Sequence, residues 1–406
     1  MRVTGTTVRA VNGLTSRWAR DLRDGEVRGG TAFSAAGVWP LLAFLADGAG
    51  GPARAELGEA VGLPPERAAE AARELLAALD AIPGVGAAIG LWTKRTLTLR
   101  ERWAEGLPPG ARGVLTGDVS HDQAALDAWT AKHTDGQIER MPAAVGEDAE
   151  LALAGALALR TTWLRPFSKS GMTPETGPWR DLDLIALHRS SSLPDRVGVA
   201  ATPAGWLTEL RVLGDTGVDV HLLLGEDGMA PGQVLAGGVG GVGRAWPRVP
   251  GTHLPYGAPG PGLTVRRERY ESPLPPQLHV TTVPFTVAAQ HDLTARSDLF
   301  GLTTAMDDSF GHFPQVAVEP LAVGRAAQAA TATFGELGFR AAAATVVEGL
   351  AGSAPRLRYS VTEIDATFDR PFGFLAVHRR TRLVLAAGWV GDPEPVHEDE
   401  DEEVWQ

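Results

Sequence analysis

The order of helical and strand patterns along the chain constrains the fold most. In the first third, apolar residues recur at helical spacing in PPERAAEAARELLAALDA from Pro64, which has proline and an acid in its first turn. DQAALDAWTAKHTDG predicts another helix, with Asp122 as its N-cap and Gly136 at its end. Later segments carry strand patterns without regular β-α alternation. This order predicts an α+β fold rather than a doubly wound sheet.

The strand patterns in the later segments predict different degrees of burial. ELALAGALALRTTW, from Glu150, is almost continuously apolar and predicts a central strand covered on both faces. Pro284 interrupts another strand pattern, and Asp292 to Leu302 predicts a short helix. Other predicted strands are VDVHLLLG, AAQAATATF and the closing hairpin FGFLAVHRR and RLVLAAGWV. Residues 228–262 are rich in Gly and Pro and predict no element. Without a composition break, residues 1–393 are expected to form one domain.

Composition and charge exclude several classes of function. The chain has no cysteine, which excludes disulfides and thiolate metal sites. It also has no pair of histidines at the spacing of metal ligands, so the sequence predicts no metal site. The net charge of −12 includes seven acids between Glu394 and Glu403, so nucleic acid and anionic membranes are not expected as partners. The acidic tail, residues 394–406, is expected to be disordered. Residues 1–30 contain no apolar run of secretory length, which predicts a cytoplasmic protein.

Motifs for catalysis are weak. Gly238, Gly240 and Gly243 satisfy a G-x-G-x-x-G pattern, but no strand precedes them directly, so we interpret the match as chance. His291-Asp292 would suit a catalytic triad, but no serine stands out as its nucleophile. The sequence therefore predicts no enzyme, no catalytic residue and no cofactor.

Several separated segments resemble the serpin family and occur in the family's order. The early SAAGVWPLLAFLADGAGG, the central AWTAKHTDGQIERM, the strand LALAGALALRTTWLRPF and the closing FDRPFGFLAVHRRTRLVLAAGWVGDP carry the resemblance, which is loose between about 168 and 277. It implies N-terminal helices packed on a large mixed central β-sheet, with smaller sheets and an exposed reactive loop at about 338–360. It also implies a monomer that inhibits a serine protease as a suicide substrate, and it allows an extracellular location.

The stretch GELGFRAAAATVVEGLAGSAPRLRYS is similar to the hinge and loop of serpins. The residues that match the hinge are Glu336, Gly338, Phe339, Arg340, Ala341, Ala342, Ala343, Ala344 and Thr345. In serpins the cut loop inserts as a new strand in the central sheet, which requires small side chains. Fourteen residues from Gly338 would reach about 46 Å at roughly 3.3 Å each, far enough to carry an attached protease along the sheet. A serpin-fold binding or carrier protein that inhibits no protease is the alternative.

The residues around the hinge predict two positions for the cut and a particular control of insertion. The usual hinge length predicts Gly352-Ser353 as the reactive bond, whereas the distance from Pro371 favours the region of Arg356, Leu357, Arg358 and Tyr359. Phe339 stands where inhibitory serpins favour Thr or Ser, so overpacking is expected to slow insertion. The residues expected at the sheet opening are Ser34, Gly37, Gly155, Trp163 and Gln328. Because glycines and a glutamine replace the family's usual polar residues there, the polar latch is expected to be largely missing.

Overall fold

The computed structural model describes residues 3–134, 136, 138–141, 146, 149–308, 311–339 and 358–394. The α-helices are α1 (Gly5–Arg20), α2 (Asp24–Val27), α3 (Ala35–Gly48), α4 (Gly51–Val61), α5 (Pro65–Asp80), α6 (Glu101–Glu105), α7 (Val119–His133), α8 (Pro231–Val242) and α9 (Ser297–Phe300). The strands are β1 (Thr31–Phe33), β2 (Val85–Lys94), β3 (Arg112–Leu115), β4 (Leu151–Leu159), β5 (Thr161–Thr162), β6 (Ser168–Met172), β7 (Leu184–Ser191), β8 (Val197–Thr202), β9 (Gly205–Leu213), β10 (Val218–Gly225), β11 (Arg248–Pro250), β12 (Leu263–Tyr270), β13 (Gln277–Thr282), β14 (Phe285–Asp292), β15 (Arg325–Phe334), β16 (Gly338–Phe339), β17 (Tyr359–Thr367), β18 (Phe372–His378) and β19 (Leu383–Val390).

The strands form three main sheets and one short ladder. The central sheet has the order β14-β15-β4-β2-β3. It is mixed, because the pairs β15–β4 and β2–β3 are parallel while the pairs β14–β15 and β2–β4 are antiparallel. A seven-stranded sheet has the order β1-β19-β18-β10-β9-β8-β11. The outer sheet has the order β12-β17-β13-β7-β6, and β16 pairs only with β5.

Burial explains why the N-terminal helices lie against these sheets. Every residue of β4 is buried, and β4 lies between β2 and β15, as the apolar run predicted. Helix α3 is almost entirely buried because it contacts α1, α5 and the strands β4 and β19. A helix that is apolar on all sides requires such surroundings. The predicted α+β arrangement of helices on a mixed sheet is therefore confirmed.

Most element predictions from the sequence are also confirmed. Pro284 separates β13 from β14, and the two strands belong to different sheets. Gly301, with φ of 66°, ends α9 in the left-handed conformation that favours glycine. Two helix starts were wrong. The helix predicted from Asp292 begins at Ser297, because Asp292 still belongs to β14. Asp118, not Asp122, caps α7 by accepting a hydrogen bond from the His121 N–H. The Asp122 carboxylate instead accepts from the N–H groups of Thr116 and Gly117 before the helix.

The segment without a predicted element contains both helix and strand. The Gly238–Gly243 pattern lies at the C-terminal end of α8, whereas a pyrophosphate loop needs a helix N-terminus. Strand β12, which follows this segment, was not predicted and forms an edge of the outer sheet. No helix in the part of the chain that the structure describes is long and apolar enough to cross a membrane.

Candidate functional site at the ends of the predicted loop

The structure describes both ends of the predicted loop. Residues 340–357 lie outside the described residues, and with them Arg340, Ala341–Thr345, Gly352-Ser353 and Arg356-Leu357. We call Gly335–Phe339 the N-terminal anchor, and Arg358 together with β17 the C-terminal anchor. The first follows β15 directly, and the second leads into β18.

Backbone hydrogen bonds fix the N-terminal anchor to the segment that follows β4. The Trp163 N–H donates to the Leu337 carbonyl at 2.8 Å, and the indole Nε1–H of Trp163 donates to the Gly335 carbonyl at 2.9 Å. The Phe167 N–H donates to the Glu336 carbonyl at 2.8 Å. A Cβ on Gly338 would lie 2.5 Å from the Thr161 carbonyl oxygen, so the close pairing of β16 with β5 requires glycine there. Trp163, predicted from the sequence at the sheet opening, therefore binds the N-terminal anchor directly.

Aromatic rings form the packing beneath this anchor. Phe334 stacks on Phe285 with a ring separation of 5.2 Å and also contacts Trp163 at 4.9 Å. Phe285 contacts Phe374 at 5.1 Å, and Phe374 lies 6.4 Å from the ring of Phe339. Phe339 is only 2% exposed. The ring expected to face the core on insertion is thus already buried at the end of the N-terminal anchor.

A cationic side chain completes the edge of this aromatic cluster. The Arg189 guanidinium lies 4.4 Å from the ring centroid of Phe167. Burial, assisted by the positive charges of Arg165 and Arg196, lowers the pKa of Arg189 to about 10. The arginine is therefore still charged at neutral pH, and the face of an aromatic ring is a favourable neighbour for it.

The two middle strands of the central sheet are paired over only part of their length. Parallel pairing joins Arg325–Gln328 of β15 to Ala152–Gly155 of β4. Beyond Gly155, β4 continues to pair with β2, and beyond Gln328, β15 continues to pair with β14. Among the described residues, the halves of β4 and β15 nearest the N-terminal anchor therefore pair only with their outer neighbours.

Gln328 holds the paired half to the start of α3. Its Oε1 accepts from the Ser34 N–H at 2.8 Å, and its Nε2 donates to the Ser34 carbonyl at 2.7 Å. The Ser34 hydroxyl donates to the Leu385 carbonyl at 2.5 Å and accepts from the Gly37 N–H at 3.0 Å. The expectation of a largely missing polar latch is therefore wrong at this position, because a glutamine amide paired with backbone supplies the contact.

The two glycines predicted at the sheet opening face each other. A Cβ on Gly155 would lie 2.7 Å from the Gly37 carbonyl oxygen, and a Cβ on Gly37 would lie 3.2 Å from Nε2 of Gln328. Helix α3 and β4 thus approach so closely that Gly155 has no room for a side chain, and a Cβ on Gly37 would require Gln328 to shift. The sequence identified these positions, but the amide pairing of Gln328 depends on a tertiary contact that local sequence does not reveal.

His291 lies opposite Gln328 in the β14–β15 ladder and serves packing. Its Nε2 is 2.9 Å from the Ala32 carbonyl, and its ring meets Trp18 edge-on at 5.2 Å. Burial lowers the pKa of His291 below its ordinary value. Asp292 is exposed on the other face of the strand, where it accepts from Thr294 and pairs with Arg325. No catalytic pair of His291 and Asp292 forms.

The C-terminal anchor is an internal strand of the outer sheet. β17 pairs antiparallel with β12 and parallel with β13. Arg358, the residue before β17, donates its N–H to the Tyr270 carbonyl at 2.9 Å. Glu363 of β17 is 4% exposed and binds Arg266 at 2.7 Å. Sequence reasoning missed β12 and hence this contact.

Comparisons with known proteins agree with this arrangement. The family model for serpins (serine protease inhibitors) matches residues 9–176. Alpha-1-antiproteinase 2 of the horse (Equus caballus) is 25% identical over 288 residues, covering 68% of this chain and 58% of the relative, so less than two thirds of that protein is matched.

Solved structures extend the likeness over almost the whole chain. Human thyroxine-binding globulin complexed with thyroxine has a TM-score of 0.71 at 16% identity and covers 96% of this chain and 99% of its own. Native protease nexin-1 with heparin has a TM-score of 0.71 at 16% identity and covers 96% and 100%. These likenesses show the serpin fold. The family-model match over residues 9–176 and the curated relative agree with that fold.

Proposed function

We propose that this chain inhibits a serine protease as a suicide substrate. The protease serine attacks the carbonyl carbon of Gly352, the bond to Ser353 breaks, and the Ser353 amine leaves with the proton. The acyl-enzyme ester stays on Gly352. The segment from Gly338 to Gly352 then inserts between β4 and β15 and carries the protease with it.

The partial ladder between β4 and β15 is the observation that carries this proposal. The half without mutual pairing is lined with small residues such as Ala156, Ala158 and Ala332, and it begins below the N-terminal anchor. A new strand entering there would gain ladder hydrogen bonds on both sides without displacing large side chains. Gln328 and Ser34 mark where the existing ladder would have to open next.

The C-terminal anchor favours Gly352-Ser353 over the alternatives near its start. The Arg358 N–H is bonded to Tyr270, and Tyr359 already pairs with Tyr270 in the β12–β17 ladder. A protease needs several extended residues on both sides of the bond that it cuts. A bond at Arg358-Tyr359 lacks them, whereas Gly352-Ser353 lies several residues before the ladder.

A carrier or binding protein is the second candidate, and Phe339 favours it. Its ring is buried against Phe374, and one neighbour of the same fold was solved with thyroxine. If the ring cannot accommodate the rearrangement of the strands around it, the cut loop stays outside the sheet.

The test is exposure to trypsin-, elastase- and subtilisin-type proteases, followed by denaturing electrophoresis and mass spectrometry of the loop. We expect a covalent adduct that survives denaturation with at least one enzyme, and a marked rise in melting temperature of the cut protein. Clean cleavage by all three with an unchanged melting temperature would exclude the inhibitor and leave the carrier. A control loop with Ala341 and Ala343 replaced by proline, which cannot donate ladder hydrogen bonds, should be cut without forming an adduct.

A further inference from the structure

Strand β12 covers one side of the strand to which the predicted loop is attached. All eight residues of β12, Leu263–Tyr270, have partners in β17, from Ala366 back to Tyr359. On the other side, β13 pairs with Glu363–Thr367 of β17. The first half of β17, next to the loop, therefore pairs with β12 but not with β13. Removal of β17 from the sheet would begin with the β12 ladder.

Charged side chains reinforce the β12–β17 ladder. Arg266 of β12 binds Glu363 through Nη2 at 2.7 Å and also pairs through Nη1 with Asp365. The Tyr270 hydroxyl donates to the other oxygen of the Glu363 carboxylate. Because Glu363 is almost fully buried, drawing it away from Arg266 and Tyr270 would leave a carboxylate to be resolvated during the movement.

Strand β12 is itself held in place from its outer side. Gly257 forms an isolated antiparallel bridge to Val265, with both N–H···O bonds between them at 2.8–2.9 Å. Arg267 lies over the ring of Tyr256 at 4.9 Å, and the Tyr256 hydroxyl is 3.1 Å from Oγ1 of Thr362 in β17. Leu263 and Val265 are buried. The strand is thus part of the packed sheet rather than a loosely attached edge.

We propose that β12 is a lock that makes loop insertion depend on cleavage. This inference rests on the proposed function. An uncut loop is joined at one end to β16 and at the other to β17, so full insertion requires β17 to leave the outer sheet. A cut loop inserts its N-terminal part without moving β17. Strand β12 and Arg266 therefore oppose insertion of the uncut loop and leave insertion of the cut loop unhindered.

The first experiment compares Arg266→Ala with Arg269→Ala. Arg269 is exposed on the same strand, outside the contacts of Glu363. Uncut proteins are held a few degrees below the melting temperature of the wild type, and the appearance of a more heat-resistant form is followed with time. Mass spectrometry verifies that the chain remains intact. We expect Arg266→Ala to convert roughly tenfold faster than the wild type, which corresponds to about 1.4 kcal/mol, and Arg269→Ala to match the wild type.

The second experiment strengthens the ladder instead of weakening it. Arg267 and Thr362 are directly opposite in β12 and β17, and the chain has no cysteine of its own. The double variant Arg267→Cys, Thr362→Cys should form a disulfide that suppresses conversion of the uncut protein, and a reductant should restore it. The same oxidised protein should still gain heat resistance when its loop is cut.

The outcomes separate the lock from the proposed function. If cutting the wild-type loop gives no gain in heat resistance, the proposed function fails and the lock fails with it. Suppose that cutting gives the gain in heat resistance, but uncut Arg266→Ala and uncut wild type convert at the same rate or do not convert at all. Then the lock is overturned and the proposed function stands. Conversion of the cross-linked protein at the rate of the reduced one would overturn the lock as well.

Discussion

The two anchors of the predicted loop are held by different physical interactions. The N-terminal anchor has a two-residue ladder and depends on buried rings, chiefly Phe339 against Phe374. The C-terminal anchor has a ladder on both sides and a buried carboxylate bound by Arg266. Apolar burial is non-directional and tolerates rearrangement, whereas a two-sided ladder with ion pairs fixes register. The difference fits the proposed function, in which the N-terminal end of the loop moves and the C-terminal end stays.

Removing the buried ring of Phe339 should change the free energy of unfolding more than any other substitution at the two anchors. We expect Phe339→Ala to lower the free energy of unfolding by about 3 kcal/mol, because it removes a nearly inaccessible aromatic side chain beside Phe374. Urea unfolding measures the change, and Phe339→Leu, which keeps more of the buried apolar volume, serves as the control and should cost less than Phe339→Ala. A cost under 1 kcal/mol for Phe339→Ala would mean that the N-terminal anchor does not depend on this ring.

A smaller effect is expected at the C-terminal anchor, with a different response to salt. Glu363→Gln should cost about 1–2 kcal/mol in low salt, because the charge-assisted bond to Arg266 is weakened. At 1 M salt this cost should shrink only in part, because the Arg266 side chain is 44% exposed to the screening ions whereas Glu363 is buried.

The matched control for that variant is Glu268→Gln, whose side chain is 49% exposed and should change stability by less than about 0.5 kcal/mol. The cost of Phe339→Ala should be unaffected by salt. Equal salt responses of Phe339→Ala and Glu363→Gln would break the comparison.

The smallest effect is expected from pH, and its sign differs between the two regions. Burial lowers the pKa of His291 beside the central sheet, so its neutral form stabilises the fold at neutral pH, and this contribution is lost as pH falls below about 6.5 toward the folded pKa. The hydrogen bond to Glu363 raises the pKa of Tyr270, so its contribution is lost as pH rises above 10 through the folded pKa.

Urea unfolding between pH 7 and 5 tests the first of these signs. His291→Gln should flatten the acid slope of stability, while His253→Gln, at an exposed position, should leave it unchanged. If the stability of His291→Gln falls between pH 7 and 5 as steeply as that of the wild type, His291 does not cause the loss of stability in acid.

Sequence reasoning reached the fold because the long elements carry their own signals. The apolar run of β4 and the amphipathic α5 are specified locally, and Gly338 is a residue that the close pairing with β5 requires. Strand β12 was missed because LTVRRERY alternates only partly and obtains its partners from β17, nearly a hundred residues later. The Gln328 contact was missed for the same reason: a glutamine in a strand does not reveal which distant backbone its amide will meet.

The geometry of β17 also determines how the chain responds to tension. A load applied along the axis of β17 is shared by its eight residue pairs with β12, which must yield together in shear. The same load on the short β16–β5 ladder meets only two residue pairs. A bound enzyme that pulls on the loop would therefore open the molecule at Gly338 while its far end keeps its register.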